Sequence, residues 1–242
     1  MAQNVYDNPE FLAGYQNLPR SREGLAGAPE WPSLRAMLPP LAGARVLDLG
    51  CGFGWFARFA REQGASHVLG LDVSERMLAR AAEMTRDDAI EYRRADLDAA
   101  GFPESAFDLV FSSLALHYIV DLGALIGRIA RALKPGGAMV VSMEHPVFQA
   151  PPRKEWAEHE GRRIWPLQDY FREGPRLTDW FVPDVQMHHR TMGTILRYIL
   201  GAGLALTHLE EWCPDAAQIA LHPEWEKELD RPIFLLLAAR KP

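Results

Sequence analysis

The sequence predicts an α/β fold built around a mostly parallel β-sheet. From residue 44 onward, short runs rich in Leu and Val alternate with stretches compatible with helix, a spacing typical of strand–helix–strand units. Three glycines stand at the first strand-to-helix turn. Of the 242 residues, 48% are hydrophobic and 24% are charged, which excludes a disordered or fibrous chain.

The first two strand–helix pairs follow one another closely. Arg45–Gly50 (RVLDLG) is a short apolar run that ends in glycine, which is typical of a buried parallel strand. A helix is predicted over Trp55–Gln63, and the second strand over His67–Val73. Ser74 is a good N-cap for the next helix, which extends to residue 84.

Three more strands and one helix are predicted before residue 146. The strands are Ile90–Asp96, Phe107–Ser113 and Ala138–Met143, and the helix runs from about Asp121 to Leu133. Lys134-Pro135-Gly136-Gly137 predicts the end of that helix and a turn into the fifth strand. In such sheets ligands bind beyond the carboxyl ends of the strands, so functional residues are expected there.

The pattern changes between residues 146 and 190. Six prolines and three tryptophans fall there with little periodicity, which predicts a long loop. Because it leaves from the carboxyl end of a strand, we expect a lid or acceptor-binding insertion; a surface decoration is the alternative. A helix at Met192–Leu200 and strands at Ala205–Trp212 and Pro232–Arg240 complete a domain spanning residues 44–242. Residues 1–43 are expected to lie across it as a leader that covers the site.

The turn after the first strand has the pattern D-x-G-x-G-x-G, formed by Asp48, Gly50, Gly52 and Gly54. Glycines at such a turn let the backbone approach a ligand closely. A dinucleotide site needs a small residue three positions after the second glycine, and Trp55 stands there instead. The pattern therefore favours a ligand without a pyrophosphate, and Asp48 is expected to lie within reach of a cationic group.

Further acids end the next two strands. Asp72 is placed to accept both hydroxyls of a ribose, and Asp96 to accept from an exocyclic amine such as that of adenine. A turn-capping role for Asp96 is the alternative. Three acids beside a glycine loop suit a ligand rich in donors and positive charge, since carboxylates would repel phosphates.

Four motifs occur together in order. They are VLDLGCGFGWFARFA, GLDVSERMLARA, YRRADLDAAGFPESAFDLVFSSLALHYIVDL and RIARALKPGGAMVVSMEHP. Over about residues 42–146 the chain resembles the class I S-adenosylmethionine-dependent methyltransferases, most closely the branch that acts on small molecules. The resemblance implies a Rossmann-like seven-stranded sheet, with helices on both faces and the last strand antiparallel.

The resemblance also implies S-adenosyl-L-methionine as the methyl donor and S-adenosyl-L-homocysteine as the product. It carries a binding role onto residues at the strand ends. Gly50, Cys51, Gly52 and Gly54 would hold the methionyl part, and Asp72 the ribose. Val73, Met77, Asp96 and Leu97 would surround the adenine, Ser113 and Leu114 would lie beside the sulfonium, and Tyr6 and Tyr15 would cover the cofactor.

Three histidines are candidates for a general base, because histidine transfers protons near neutral pH. His145 follows the fifth strand, His117 follows the fourth, and His189 closes the insertion. His145 and His189 are expected to face the pocket, although each of the three could instead be structural. No metal is expected, because the paired acids of metal-dependent relatives have no visible counterpart.

The resulting prediction is methyl transfer to an O, N or C nucleophile of a small molecule by in-line displacement. An NAD(P)-dependent oxidoreductase and a non-catalytic cofactor-binding module are the alternatives. Nucleic acid is not expected as a partner, because the net charge is −6 and Ser112-Ser113-Leu114-Ala115 replaces the run that base-methylating enzymes carry. No signal peptide or membrane span is visible, so we expect a cytoplasmic monomer or homodimer.

Overall fold

A computed structural model describes residues 3–242 and places eleven strands among them. Seven strands form the central sheet: β1 Arg45–Leu49, β2 His67–Asp72, β3 Ile90–Arg94, β4 Phe107–Ser113, β5 Leu133–Glu144, β10 Ala205–Trp212 and β11 Phe234–Arg240. Their order is β10-β11-β5-β4-β1-β2-β3. β11 is antiparallel to both of its neighbours, β10 and β5, and every other pair in this sheet is parallel, so the predicted topology is confirmed.

Nine α-helices surround the sheet in the part of the chain that the structure describes. They are α1 Pro9–Tyr15, α2 Pro19–Arg22, α3 Trp31–Ala36, α4 Trp55–Glu62, α5 Glu75–Glu83, α6 Leu122–Ala132, α7 Pro146–Gln149, α8 Met192–Gly201 and α9 Ala216–Leu221. As predicted, Ser74 caps its helix, accepting a hydrogen bond from the Met77 N–H. Between residues 3 and 242, no helix combines the length and apolar character needed to cross a membrane.

The core has one layer on each face of the sheet, because successive strand side chains point in opposite directions. In β1, Leu47 and Leu49 pack with α6 and α8 on one face, whereas Val46 packs with α3 and α4 on the other. This alternation fixes the register of the strands, so that the turns after β1, β2 and β4 emerge at one edge.

The turn predicted at Lys134-Pro135-Gly136-Gly137 is wrong. α6 ends at Ala132, and β5 already begins at Leu133 and runs through these residues. The Gly136 N–H donates to the Lys241 carbonyl at 2.8 Å, and the Lys241 N–H donates to the Gly137 carbonyl at 2.9 Å. Gly136 has φ +78°, and the register between β4 and β5 shifts here, so the segment forms a bulge within the strand, to which the chain beyond β11 supplies backbone partners.

The insertion is more regular than the predicted loop. It contains α7 and two antiparallel hairpins, which pair β6 Ala157–His159 with β7 Arg162–Ile164 and β8 Gly174–Trp180 with β9 Val182–His189. The first hairpin turns through Glu160 and Gly161, both with positive φ. Its strands are largely exposed and polar, so they lack the hydrophobic alternation from which a strand is predicted.

Candidate active site

A cavity of about 370 Å³ lies at the carboxyl ends of β1, β2, β4 and β5. The N-terminal segment, the insertion and the C-terminal 3-10 helix Pro223–Asp230 contribute to its walls. Most of the residues predicted to bind the cofactor line it: Tyr6, Tyr15, Gly50, Gly52, Asp72, Val73, Met77, Asp96, Leu97, Ser113 and Leu114. The fold thus brings together side chains that are far apart in the sequence.

The loop glycines have different structural roles. Gly52 lines the cavity with φ +52°, and a Cβ added to it would meet no atom within 4 Å. By contrast, a Cβ on Gly54 would collide with the hydroxyl of Tyr92. Gly54 and Cys51 do not line the cavity, contrary to the expectation that they contact the ligand. They close the turn instead, through a 2.8 Å bond from the Gly54 N–H to the Cys51 carbonyl.

Asp72 is fixed by two backbone donors at the end of β2. Its Oδ1 accepts from the Ser74 N–H and its Oδ2 from the Gly52 N–H, both at 2.9 Å. Burial raises the pKa of Asp72, while these two N–H groups oppose the increase. The same carboxylate therefore orients the glycine loop and presents an acceptor at the cavity wall.

Asp48 does not line the cavity. It is 2% exposed, and its Oδ2 has no hydrogen-bond partner within the described residues. Burial, followed by the nearby charge of Asp72, raises the pKa of Asp48 to about 8. The expectation that Asp48 reaches a cationic ligand group is therefore wrong in this structure, because the turn carries the chain around the carboxylate and encloses it.

Two of the three candidate histidines lie away from the cavity, so the expectation that they face it is wrong. His145 caps α7, its Nδ1 accepting from the Val147 N–H at 3.0 Å, and its Nε2 lies 2.9 Å from Glu211 Oε1. His189 lies within the insertion, with Nε2 2.8 Å from the Tyr170 carbonyl. Both rings therefore make contacts within the protein and do not line the cavity.

His117 lines the cavity, at the end of the turn that follows β4. Its Nδ1 accepts a hydrogen bond from the Glu144 N–H at 3.3 Å. Burial lowers the pKa of His117 to about 4, despite the opposing carboxylate of Glu144. The ring is therefore neutral at physiological pH, with its proton on Nε2 because Nδ1 is the acceptor.

Four charged residues of the cavity wall were not among the predicted site residues: Arg20, Glu144, Glu228 and Arg231. Glu144 ends β5 beside His145, and its Oε2 accepts from Lys154 Nζ at 2.7 Å. Arg20 comes from the N-terminal segment, where its Nη2 lies 3.1 and 3.0 Å from the two carboxylate oxygens of the fully buried Glu30. The position of Glu144 could have been anticipated, because it directly follows the predicted strand Ala138–Met143. No sequence motif pointed to Arg20.

The insertion packs against the C-terminal segment through one arginine. The guanidinium of Arg231 lies 3.9 Å from the ring centroid of Trp165, 4.6 Å from that of Phe148 and 4.8 Å from that of Trp156. Its Nε also donates to Glu228 at 3.0 Å. Phe148 and Arg231 line the cavity, so this stack forms part of the wall.

The large aromatic side chains of the insertion have different positions relative to the cavity. Trp180 lines it, whereas Trp156, Trp165 and Tyr170 do not. Trp180 packs edge-on against Phe11 of α1. The N-terminal segment and the insertion are thus in direct contact at the cavity wall.

Comparison with known proteins agrees with this fold and cavity. Residues 47–141 match the family described as a methyltransferase domain. A solved S-adenosylmethionine-dependent methyltransferase from Mesorhizobium loti is 56% identical, with a TM-score of 0.87, and the match covers 90% of this chain and 100% of that one.

Two curated relatives match over part of their length. Phosphoethanolamine N-methyltransferase 1 of Triticum aestivum is 33% identical over 62% of this chain and 30% of its own length. Malonyl-[acyl-carrier protein] O-methyltransferase of Erwinia billingiae is 38% identical over 41% of this chain and 39% of its own. The chain thus spans well under half the length of these two relatives.

Fold and cavity together define an enzyme of the methyl-transferring class. The chain belongs to the S-adenosylmethionine-dependent methyltransferases, and S-adenosylmethionine is its methyl donor. Membership of this family argues against the alternative raised from the sequence, an NAD(P)-dependent oxidoreductase.

Proposed function

We propose that the enzyme transfers a methyl group to an O, N or C nucleophile of a small molecule bound in the cavity described above. The observation that carries this proposal is the composition of the cavity wall. The glycine loop, Asp72 and Asp96 line the same cavity as His117, Glu144 and Phe148. A donor and a compact acceptor can therefore share one enclosed space.

The residues present fit the methyl donor. Open space beside Gly52 leaves room for a ligand where any side chain would intrude. Following the resemblance, we assign Asp72 to the ribose hydroxyls of the methyl donor and Asp96 to the edge of its adenine ring. We assign Gly50 and Gly52 to the methionyl part.

Apolar residues complete the donor site in this proposal. They are Val73, Met77 and Leu97 against the adenine, and Leu114, with Ser113, beside the sulfonium. Arg20 is assigned to the methionyl carboxylate, because Glu30 holds its Nη2 while its Nη1 and Nε have no partner among residues 3–242. Tyr6 and Tyr15 cover the site, with the Tyr6 hydroxyl 3.2 Å from that of Tyr118.

Methyl transfer from a sulfonium places few demands on the protein, since the leaving group is already activated. The chain must align the nucleophile about 3 Å from the methyl carbon and exclude water. We propose that residues 1–43 and the insertion at 146–190 provide this cover. Phe11 and Trp180, one from each, lie with ring centroids 5.1 Å apart.

We propose that residues outside the matched range 47–141 determine which acceptor the enzyme binds. The two curated relatives carry different acceptors in their names, phosphoethanolamine and malonyl-[acyl-carrier protein], although both resemble this chain. In this chain Phe148 and Trp180 come from the insertion, and Arg231 comes from the C-terminal segment. These contributions are candidates for the specificity of the enzyme.

Calorimetry with S-adenosylmethionine and S-adenosylhomocysteine tests the proposal. Both should bind, and Asp72→Asn should weaken binding roughly 10- to 100-fold, as expected for loss of a hydrogen bond to a charged group. Asp87→Asn is a matched control, because Asp87 also accepts from an N–H two residues on, that of Ala89, but lies outside the cavity wall. Absence of heat with either nucleoside, or full affinity in the Asp72 variant, would refute the assignment.

A further inference from the structure

The carboxylate of Glu144 has one oxygen engaged and one available. Oε2 accepts from Lys154 Nζ at 2.7 Å and from Gln149 Nε2 at 3.2 Å. Oε1 has no hydrogen-bond partner among residues 3–242, and Glu144 lines the cavity. Burial raises the pKa of Glu144, but the charge of Lys154 and the hydrogen bonds from Lys154 and Gln149 are among the causes that lower it, and the net pKa lies below its usual value. Glu144 therefore offers an ionised acceptor to whatever lies in front of it.

His117 offers the complementary group. Its Nδ1 is held by the Glu144 N–H, so the neutral ring carries its proton on Nε2. Nε2 has no partner within the described residues, and the ring lines the same cavity. Because the Glu144 N–H lies 3.3 Å from Nδ1, the imidazole stands beside the backbone of Glu144 at the cavity wall. In this arrangement His117 is a donor and cannot take a proton at Nε2.

One donor and one acceptor beside each other select among nucleophiles. A hydroxyl oxygen can accept from His117 Nε2–H, donate its proton to Glu144 Oε1, and retain a lone pair for the methyl carbon. A neutral amine has a single lone pair, so accepting from His117 would block its attack. A carbon nucleophile satisfies neither group, and leaving buried polar groups unpaired is costly.

We propose that this enzyme is an O-methyltransferase whose acceptor hydroxyl binds between His117 and Glu144. The inference rests on the proposed function and narrows it to one acceptor class, a hydroxyl on an apolar scaffold. Phe148, Phe234 and Trp180 supply the apolar wall for that scaffold.

The step balances without any further reactant. A bond forms between the hydroxyl oxygen and the methyl carbon as the carbon–sulfur bond breaks. The sulfur keeps the electron pair of the broken bond, which gives S-adenosylhomocysteine. The oxygen becomes strongly acidic as it gains the methyl group, so its proton passes to Glu144 Oε1. An ionised carboxylate of ordinary or low pKa suffices as a base at that stage, because the proton leaves late.

The first experiment reads the protonation of His117 directly. In protein saturated with S-adenosylhomocysteine and labelled with ¹⁵N-histidine, NMR at pH 7 should show His117 as a neutral ring protonated on Nε2. His117→Asn identifies its resonances. A ring protonated on Nδ1, or an imidazolium, would overturn the proposal, because in both states Nδ1 carries a proton and cannot accept from the Glu144 N–H.

The second experiment compares phenol, toluene and aniline, which match in shape, as probes for the same complex. Phenol should bind roughly 10- to 100-fold more tightly than toluene, the scale of a hydrogen bond to a charged group. Aniline can bind between the same two groups, but its one lone pair is then engaged and it should not be methylated. Glu144→Gln and His117→Asn should remove the preference for phenol while leaving the affinity for S-adenosylhomocysteine unchanged. The Oδ1 of His117→Asn can still accept from the Glu144 N–H, but the shorter side chain leaves no donor at the position of Nε2. Glu173→Gln, outside the cavity wall, is the control.

The outcomes separate this inference from the proposed function. Loss of S-adenosylhomocysteine binding in the unaltered enzyme refutes the proposed function. Intact binding of that nucleoside with no preference for phenol over toluene, including failure of all three probes to bind, overturns only the hydroxyl assignment. Methyl transfer to a nitrogen or carbon atom of any acceptor also overturns it, whereas an O-methyl product lost in Glu144→Gln supports it.

Discussion

Replacing Gly52 by alanine should separate ligand binding from folding. Gly52 has φ +52°, and the site of its missing Cβ is open space at the cavity wall. The new methyl group should therefore meet the bound donor rather than the protein. Gly43 offers a matched control, since it has φ +75° and equally open surroundings but does not line the cavity.

The magnitudes follow from the backbone and from the space available. A left-handed alanine costs about 1–2 kcal/mol, partly offset by about 0.4–1 kcal/mol from the reduced freedom of the unfolded chain. For a chain of this size, a net loss of about 1 kcal/mol lowers Tm by about 2–4 °C. Both variants should show this shift. Overlap of the Gly52→Ala methyl with the ligand should cost about 1–3 kcal/mol of binding, or roughly 5- to 150-fold in Kd.

Gly54→Ala should behave in the opposite way. Its Cβ would strike the Tyr92 hydroxyl, which is anchored 3.0 Å from Thr85 Oγ1 and so cannot move aside freely. Overpacking adds about 1–3 kcal/mol to the backbone strain, so Tm should fall by roughly 5–15 °C. Scanning calorimetry measures Tm, and titration calorimetry measures the Kd of S-adenosylhomocysteine. Unchanged affinity in Gly52→Ala, or weakened affinity in Gly43→Ala, would refute the reasoning.

Two further predictions concern buried polar residues outside the cavity wall. His145→Ala removes a helix cap worth about 1–2 kcal/mol, so it should lower Tm by about 2–8 °C and leave the affinity for S-adenosylhomocysteine unchanged. A large loss of affinity would instead place His145 in the binding site. The pKa of Asp48, raised to about 8 in the folded chain, means that the native state retains a proton that the unfolded state releases above about pH 4. Its contribution to stability is thus present below pH 4 and is lost as the pH rises through 8. Asp48→Asn should therefore raise Tm relative to the unaltered protein more at pH 8.5 than at pH 5, and equal differences at the two pH values would contradict this.

The inner strands of the central sheet were predictable because they are buried on both faces. β4 has the bounds expected from the sequence, and β1 and β2 differ by one residue. Such strands need only apolar runs between turn residues, and these are local signals. The extension of β5 through Pro135 and Gly136 was not predictable locally, because its partner is Lys241, more than a hundred residues away.

The donor side of the site was more predictable than the acceptor side for a related reason. Asp72 and Gly52 lie at the ends of β1 and β2, whose positions follow from the sheet order, and the 2.9 Å bond between them joins two neighbouring turns. Acceptor-side residues such as Phe148, Trp180 and Arg231 come from segments without strong periodicity. Their positions depend on contacts among the insertion, the N-terminal segment and the C-terminal segment, which only the folded chain reveals.

The histidines show why residue type alone misdirects the search for catalytic groups. His145 and Glu144 are adjacent on an extended chain, so their side chains point to opposite sides. The fold turns His145 toward Glu211 on β10 and Glu144 toward the cavity. Because the two residues are adjacent, the carboxylate lines the cavity and the imidazole points away from it, and we therefore assign the acceptor contact to Glu144. In the proposed arrangement the neutral ring of His117 donates to the acceptor hydroxyl, and Glu144 takes the proton of that hydroxyl.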